Sequence, residues 1–266
     1  MLDVEFAQLS DCGRVRDHNE DFLGYALPAT PEHARTNGWL FALADGVGGQ
    51  DFGEVASRAA VECLLAGFRA ASGGEALGTL LPRLVQAANT HVFETGMAAN
   101  KSGTSMATTL VACALRFDRA VVAHVGDSRC YLIRHGRAEV LTRDHTMVNE
   151  QRRLGVLSAR QAANSESRHL LSRSVGSEMF VSAETAEHLL LPGDLLLLCS
   201  DGFYASVEPS EIATLVAHNR DLNDSVRKLI DVANERDGSD NISVQLIRVR
   251  NVERIGMYRG RPYKLL

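Results

Sequence analysis

The stretch FALADGVGGQDFGEVAS, residues 41–57, joins three patterns that together decide the fold. An apolar run ends at Asp45-Gly46, a glycine-rich turn follows, and helical spacing of small and apolar residues begins near Gly53. Short apolar runs bounded by turn residues are typical of buried strands, and a spacing of three to four residues is typical of a helix. The stretch therefore predicts a strand, a tight turn and a helix, with a carboxylate at the strand end.

The glycines of this turn could belong to a phosphate-binding loop or to a dinucleotide fingerprint. The turn lacks the Lys-Ser/Thr pair of a P-loop, and its glycine spacing misses GxGxxG. An acidic residue at the strand end, Asp45, is also badly placed to receive a pyrophosphate. A turn that bends the backbone around a metal ion, with the Gly46 carbonyl as a possible ligand, fits better.

Other apolar runs predict further strands, and four longer stretches predict helices that fall in pairs. Strands are predicted at residues 39–45, 107–115, 119–127, 128–134, 194–201 and 241–249, and more weakly at 4–9 and 180–189. Helices are predicted at residues 53–68, 77–93, 209–218 and 222–235. Because a run of strands separates the two helix pairs, the order does not repeat a βαβ unit. It favours a β-sandwich or a large antiparallel sheet flanked by helices.

One large domain is expected over residues 1–249, since no Pro/Ser-rich linker or charge block interrupts this range. Residues 146–177 are polar and predict an excursion from the sheet. Residues 250–266 are rich in arginine and predict a solvated basic tail. A docking peptide, or a linker to a further domain, is the alternative for this tail.

The charge balance restricts the class of ligand. A net charge of -5 argues against binding nucleic acid through a diffuse basic surface, because phosphate backbones are held by concentrated Lys and Arg. An acidic cleft repels a phosphate ester unless cations neutralise it, so an anionic substrate would imply metal.

The cysteines and the apolar runs indicate the cellular compartment. The five cysteines form no CxxC pair, and we interpret them as buried, reduced core residues of a cytoplasmic protein (Cys12, Cys63, Cys113, Cys130 and Cys199). The start of the chain has no basic segment followed by an apolar one, and no run approaches the ~20 apolar residues of a membrane span. Neither a signal peptide nor a membrane segment is expected.

Acidic residues gather where the predicted strands begin or end, at Asp45-Gly46, Asp127-Ser128, Asp201-Gly202 and Asp240-Asn241, and Asn19-Glu20-Asp21 adds two more. A single Asp-Gly is usually a turn. Several carboxylates beside buried strands are costly to leave unpaired and favour shared cations. Mg²⁺ and Mn²⁺ prefer such oxygen ligands, whereas the chain has no HExxH zinc motif and no DxDxDG calcium loop.

Seven motifs in order resemble the PP2C-type (PPM family) metal-dependent protein serine/threonine phosphatases in their compact bacterial form. They are VRDHNED (15–21), FALADGVGGQDFGEVAS (41–57), SGTSMATT (102–109), VGDSRCYLIRHG (125–136), LTRDHT (141–146), LLLLCSDGFY (195–204) and SDNISVQLI (239–247). Each motif alone is weak, but their order and spacing match nearly the whole chain up to residue 249. The resemblance implies an α/β/β/α sandwich of two antiparallel sheets flanked by paired helices.

The resemblance also implies a centre of two Mn²⁺ or Mg²⁺ ions whose shared hydroxide attacks phosphoserine or phosphothreonine directly. Asp45 would bridge the ions and, with Arg16, which would hold the phosphate, would carry catalysis. The remaining ligands and supporting residues implied are Glu20 and the Gly46 carbonyl at one ion, Asp201 and Asp240 at the other, and Asp21 and Asn241 beside them.

Two positions depart from the family pattern. Val47 stands where many relatives outside bacteria have a histidine that is proposed to protonate the leaving alkoxide. Ala205 stands where bacterial members often have an aspartate that helps to hold a third ion. The second departure argues against a third ion, for which Asp127 would be the remaining ligand; otherwise Asp127 would cap the turn into the next strand.

The expected function is a protein phosphatase that opposes a bacterial-type serine/threonine kinase and acts as a cytoplasmic monomer on phosphorylated proteins, without nucleic acid or membrane partners. Residues 146–177 fall where the family has a flap beside the active site, which predicts an influence on which phosphoprotein binds. The alternatives are a catalytically silent PP2C-like module that binds phosphoproteins or regulates a partner, and an enzyme for small phosphorylated metabolites.

Overall fold

The computed structural model describes residues 1–47, 52–99, 106–163, 165–217, 221–258 and 261–264. Its strands, in chain order, are β1 (Asp3–Asp11), β2 (Asp21–Ala26), β3 (Trp39–Val47), β4 (Ala107–Thr108), β5 (Leu110–Arg116), β6 (Arg119–Val125), β7 (Arg129–Arg134), β8 (Arg137–Val140), β9 (Glu184–Leu189), β10 (Leu195–Cys199), β11 (Ile242–Asn251), β12 (Ile255–Tyr258) and β13 (Arg261–Lys264). The helices are α1 (Pro31–Thr36), α2 (Phe52–Ala70), α3 (Leu77–Ala99), α4 (Met147–Arg153), α5 (Ala159–Ala163), α6 (Asp201–Tyr204), α7 (Pro209–Ala217) and α8 (Leu222–Arg236), with a 3₁₀ turn at Glu166–His169.

The strands form two main antiparallel sheets, as the strand-rich pattern predicts. The first has the order β1-β11-β10-β7-β8, and the second has the order β2-β3-β5-β6-β9 with β4 paired to β3. Strands β12 and β13 form a separate hairpin. The prediction of a sandwich of two antiparallel sheets is confirmed.

Three apolar layers hold the sandwich together, and strand β3 shows why. Leu40, Ala42 and Ala44 pack with α2 and α3, whereas Phe41 and Leu43 pack between the two sheets. Side chains alternate between the faces of a strand, so a strand covered on both faces must be apolar throughout. In the first sheet, β10 repeats this arrangement with its other face toward α7 and α8.

The structure corrects several predicted boundaries. Strands β6 and β10 end at Val125 and Cys199, so that Asp127 and Asp201 lie just beyond the strands rather than inside them. The predicted strand at 107–115 is interrupted at Thr109, whose N–H bonds to the Asp45 carbonyl at 2.8 Å. The strand predicted at 180–189 begins only at Glu184, because the residues before it bind instead to α3: Gln86 and Asn89 bond to the backbone of residues 178–181.

The prediction that all five cysteines are buried is wrong for two of them. Cys113, Cys130 and Cys199 are buried in strands, but Cys12 and Cys63 are half-buried, because one lies in the β1–β2 loop and the other near the outer face of α2. All five are free. Among the helices that the structure describes, none combines the length and the apolar character needed to cross a bilayer.

The segment between β8 and β9 leaves the sandwich, and we call residues 146–171 the flap. It contains α4, α5 and the 3₁₀ turn, and its two ends are joined at a neck where Thr146 pairs with Leu171. At the other end of the chain, β11 runs to Asn251 and the β12–β13 hairpin follows. The division at residue 249 stays a prediction.

Candidate metal centre

One pocket at the end of the sandwich contains all the predicted site residues except Asp21. Its described lining comprises Arg16, Glu20, Asp45, Gly46, Val47, Thr109, Asp127, His169, Leu171, Asp201, Asp240 and Asn241. Asp45 lies near the end of β3 and Asp127 lies just after β6, both in the second sheet, whereas Asp201 and Asp240 flank strands of the first. Arg16 and Asp240, which are 224 positions apart, therefore meet because the two sheets end together.

Strand pairing fixes the position of Asp45. It lies opposite Asp21 in the β2–β3 ladder, and Gly46 N–H bonds to the Glu20 carbonyl at 3.1 Å. On the other side, Asp45 N–H donates to Thr109 Oγ1 at 2.9 Å, and Thr108 Oγ1 donates to the Asp45 carbonyl at 2.7 Å. The main chain of Asp45 is thus held from both neighbouring segments, which leaves its carboxylate to face the pocket.

Glycines allow the second helix to approach this strand end. A Cβ on Gly46 would collide with the backbone of Gly53, and a Cβ on Gly53 would lie 2.6 Å from Glu20 Oε1. Neither position has room for a side chain, so the start of α2 packs directly against the acids. The glycine-rich turn itself, residues 48–51, and residues 102–105 of SGTSMATT lie outside the described residues.

Asn241 ties three loops to the pocket. Its Oδ1 accepts from Glu20 N–H at 2.8 Å, while its Nδ2 donates to the carbonyls of Cys12 at 3.0 Å and His18 at 2.9 Å. Its own N–H donates to Asp240 Oδ1 at 2.8 Å. Asn241 is buried, so these bonds replace water and fix Glu20 and Asp240 relative to each other.

Asp21 lies behind the pocket and is buried. Its Oδ2 accepts from Ser200 Oγ at 2.7 Å, and Ser200 Oγ in turn accepts from Ser243 N–H at 3.0 Å. Its Oδ1 has no hydrogen-bond partner among the described residues. Burial raises the pKa of Asp21 to about 7, against the opposing effect of the serine hydrogen bonds. Asp21 therefore connects β2 with the first sheet, and its role in supporting the metal ligands stays a prediction.

The acids of the pocket repel one another. Burial, followed by the charges of Asp21 and Asp201, raises the pKa of Asp45 well above its ordinary value. Burial also raises the pKa of Asp201, and burial with Asp201 and Asp144 raises the pKa of Asp127 to about 7. Burial likewise raises the pKa of Glu20.

Arg16 supplies the permanent opposite charge within this described lining. Its Nη2 lies 2.9 Å from Asp240 Oδ2, and this contact raises the pKa of the guanidinium. One arginine does not balance five carboxylates, and the ligand atoms that these acids and the Gly46 carbonyl offer are all oxygens. This donor set fits hard divalent cations such as Mg²⁺ and Mn²⁺.

The two departures from the family pattern have structural counterparts. Val47 lines the pocket with a partly exposed apolar side chain. Ala205 is the exposed C-cap of α6 and brings no carboxylate to Asp127, whose side chain lies in the pocket near Asp201. Whether Asp127 binds a third ion stays a prediction.

The sequence reasoning missed three pocket residues. Thr109 lies in the motif SGTSMATT, which gives no local sign that its hydroxyl accepts a hydrogen bond from Asp45. His169 and Leu171 come from the flap, and His169 Nδ1 lies 3.9 Å from Asp201 Oδ2. The polar flap sequence carries no periodic signal that places these two side chains over the acids.

Two antiparallel sheets between helix layers, with a carboxylate pocket where both sheets end, form the architecture of the PP2C-type phosphatases. The model of the protein phosphatase 2C family matches residues 17–246, and the chain belongs to this family. Among curated relatives, the serine/threonine phosphatase stp of Listeria welshimeri is 34% identical over 95% of this chain and 96% of its own.

Solved structures agree with this assignment. The Streptococcus agalactiae serine/threonine phosphatase has a TM-score of 0.83 and 32% identity, over 92% of this chain and 99% of its own. The catalytic domain of the serine/threonine protein phosphatase PstP, in complex with two manganese ions, has a TM-score of 0.78 and 30% identity, over 94% of this chain and all of its own. The α/β/β/α fold that the sequence motifs imply is confirmed.

Proposed function

We propose that the protein is an active serine/threonine protein phosphatase that requires Mn²⁺ or Mg²⁺. The observation that carries this proposal is the pocket that five carboxylates line together with Arg16. The names of the Listeria and S. agalactiae relatives support the substrate class, and the manganese complex of PstP supports the metal.

The residues of the pocket suit the parts that the motifs imply. Two cations would be held by Asp45 between them, by Glu20 and the Gly46 carbonyl on one side, and by Asp201 and Asp240 on the other. Divalent cations, when bound, lower the pKa of a water molecule and neutralise charge on phosphoryl oxygens. Since Ala205 offers no ligand beside Asp127, we propose two ions rather than three.

Arg16 is suited to hold the substrate phosphate. Its side chain is 46% exposed at the mouth of the pocket and already forms a hydrogen bond to Asp240. A planar guanidinium can bind two phosphate oxygens at once, which orients the phosphoryl group for attack from the side of the acids. Val47 has no proton to give to the leaving alkoxide, so we assign that proton to water.

The alternative of a catalytically silent module is not favoured, because every implied ligand type is present in one pocket.

We further propose a cytoplasmic monomer that acts on phosphorylated proteins and opposes a serine/threonine kinase. The free cysteines support the compartment, and the flap over the pocket supports a protein substrate. Hydrolysis of a small phosphorylated metabolite would be revealed by equal rates on free phosphoamino acids and phosphopeptides.

The decisive experiment is phosphate release from a phosphothreonine peptide in EDTA, in Mg²⁺ and in Mn²⁺, with Asp201→Asn and Asp231→Asn as matched variants. Asp231 is an exposed aspartate on α8 and is not part of the described lining of the pocket. We expect activity with either metal, none in EDTA, and loss in the Asp201 variant alone. Metal-independent release, or full activity of Asp201→Asn, would refute the mechanism.

A further inference from the structure

The motif LTRDHT at residues 141–146 contains a histidine that lies outside the pocket. His145 is fully buried, and it bonds to Gly126 twice. Its N–H donates to the Gly126 carbonyl at 3.0 Å, and its Nδ1 accepts from Gly126 N–H at 3.2 Å. Gly126 has φ +98° and precedes Asp127, so His145 holds the turn that presents Asp127 to the pocket.

The same histidine also holds the flap. Its carbonyl accepts from Ser172 N–H at 2.8 Å, directly after the flap ends. The adjacent neck is closed by the Thr146–Leu171 pair and by a bond from Met147 N–H to the Leu170 carbonyl at 2.8 Å. His145 therefore contacts both the turn of Asp127 and the base of the flap, and Leu171 in that base lines the pocket.

The hydrogen bond from Gly126 fixes the tautomer of His145. A nitrogen that accepts a hydrogen bond carries no proton, so in the neutral ring the proton sits on Nε2. Nε2 faces Glu184 Oε2 at 3.4 Å, and Glu184 is also paired with Arg143 at 2.8 Å. His124 stacks on the ring with a centroid distance of 4.7 Å. Burial, with the neighbouring His124 and Arg173, lowers the pKa of His145 to about 4, so the ring is neutral at pH 7.

His124, His145 and Glu184 bring possible ligand atoms within 4.8 Å of one another and could hold a metal ion. While Nδ1 accepts a hydrogen bond from Gly126, the neutral ring carries its proton on Nε2. Nε2 then has no free lone pair with which to bind a cation. The geometry therefore favours a hydrogen-bonded chain from Gly126 through the imidazole to Glu184.

We propose that His145 is a positioning residue that couples the turn of Asp127 to the neck of the flap. It touches neither substrate nor the pocket, and it acts through the Gly126 N–H bond and the Ser172 N–H bond. The inference concerns the reaction of the proposed phosphatase, but its first test needs neither metal nor substrate.

Two amide variants test the two ring nitrogens of His145 separately, because each variant keeps one hydrogen-bonding position of the imidazole and loses the other. In His145→Asn the amide oxygen takes the position of Nδ1 and can still accept from Gly126, whereas His145→Gln extends its amide toward Nε2 and Glu184. We expect amide hydrogen exchange at Gly126, measured by NMR in EDTA, to stay slow in the Asn variant. In the Gln variant we expect it to rise roughly tenfold, as for the loss of one hydrogen bond.

Turnover should follow the same order. With p-nitrophenyl phosphate and Mn²⁺, kcat should fall roughly tenfold in His145→Gln and less than threefold in His145→Asn, with Tm values of the two variants alike. Equal losses of kcat in both variants, or unchanged Gly126 exchange in His145→Gln, would overturn the proposal. So would one equivalent of Zn²⁺ bound by the wild-type protein and lost in Glu184→Ala.

If His145→Gln does not fold, the kcat and the Gly126 exchange rate of His145→Asn alone still test the proposal. A tenfold loss of kcat in that variant, with Gly126 still protected, would show that the Gly126 bond is not what the reaction needs. An inactive parent enzyme with the expected exchange pattern would refute the phosphatase function and leave the hydrogen-bonded chain intact.

Discussion

Replacement of Asn241 by alanine tests how the pocket is held together. The side chain makes one bond to the Glu20 N–H and two to the carbonyls of Cys12 and His18, and it is 5% exposed. A buried hydrogen bond contributes about 1 kcal/mol net, so the loss of three should lower the free energy of unfolding by about 3 kcal/mol. In a protein of this size, that lowers Tm by roughly 6–12 °C.

The assay is urea or thermal unfolding in EDTA, because removal of metal separates folding from metal affinity. Asn223→Ala is the control, since the exposed Asn223 side chain bonds only to the Asp221 cap among described residues. A change below about 0.5 kcal/mol is expected there, as for most surface substitutions.

Asn241→Asp separates the hydrogen bond to Glu20 from the two bonds to the carbonyls. The new carboxylate can still accept from Glu20 N–H, but its other oxygen faces the two carbonyls that Nδ2 now satisfies. We expect it to be less stable than Asn241→Ala at pH 7.5, because it adds repulsion to the lost bonds. A milder effect of Asp than of Ala, or a loss below 1 kcal/mol for Ala, would refute the reasoning.

Three further predictions concern the acids, the glycine beside them and the flap. Because the folded-state pKa of Asp21 is raised to about 7, above its unfolded value, Asp21 binds more proton in the metal-free fold than in the unfolded chain, so the Tm of the wild type should rise relative to that of Asp21→Asn as the pH falls from 8 to 6. Differential scanning fluorimetry of both proteins in EDTA checks this, and a Tm difference that stays constant or moves the other way over that window would contradict it. Gly53→Ala should displace Glu20 and raise the calorimetric Kd for Mn²⁺ at least tenfold, whereas Gly78→Ala, with open space on α3, should leave it unchanged. Replacement of residues 148–169 by a short Gly/Ser linker should change rates on phosphoproteins more than on p-nitrophenyl phosphate; equal changes would remove the flap from substrate selection.

The sequence predicts most strands because a sandwich strand covered on both faces is apolar throughout, and such runs are easy to see. Strand β2 escapes this rule, since DFLGYA contains Gly24, where a Cβ would lie 2.6 Å from Val61 on α2. Its pairing with β3 depends on helix packing that a local pattern does not encode. Strand β8 is short and mostly exposed, so it has no apolar signal either.

The residues of the site likewise fall into those that a local sequence pattern predicts and those that it does not. Asp45, Asp127, Asp201 and Asp240 could be predicted from local patterns because each one lies at the start or end of a predicted strand, whereas Glu20 is implied only by the family resemblance. The flap residues could not, because His169 and Leu171 reach the pocket through the neck contacts at Thr146 and Ser172. Those contacts join residues that are far apart in sequence and belong to no periodic pattern.

Because the acids are divided between two sheets, the packing of the sandwich interior determines how far apart the two groups of acids lie. Asp45 moves with the second sheet and Asp201 with the first, and the distance between the sheets is set by the apolar layer of Phe41, Leu198 and their neighbours. A change of volume in that layer shifts one half of the ligand set against the other. Evolution can therefore retune this enzyme from the sandwich interior, through substitutions that leave every residue of the pocket as it is.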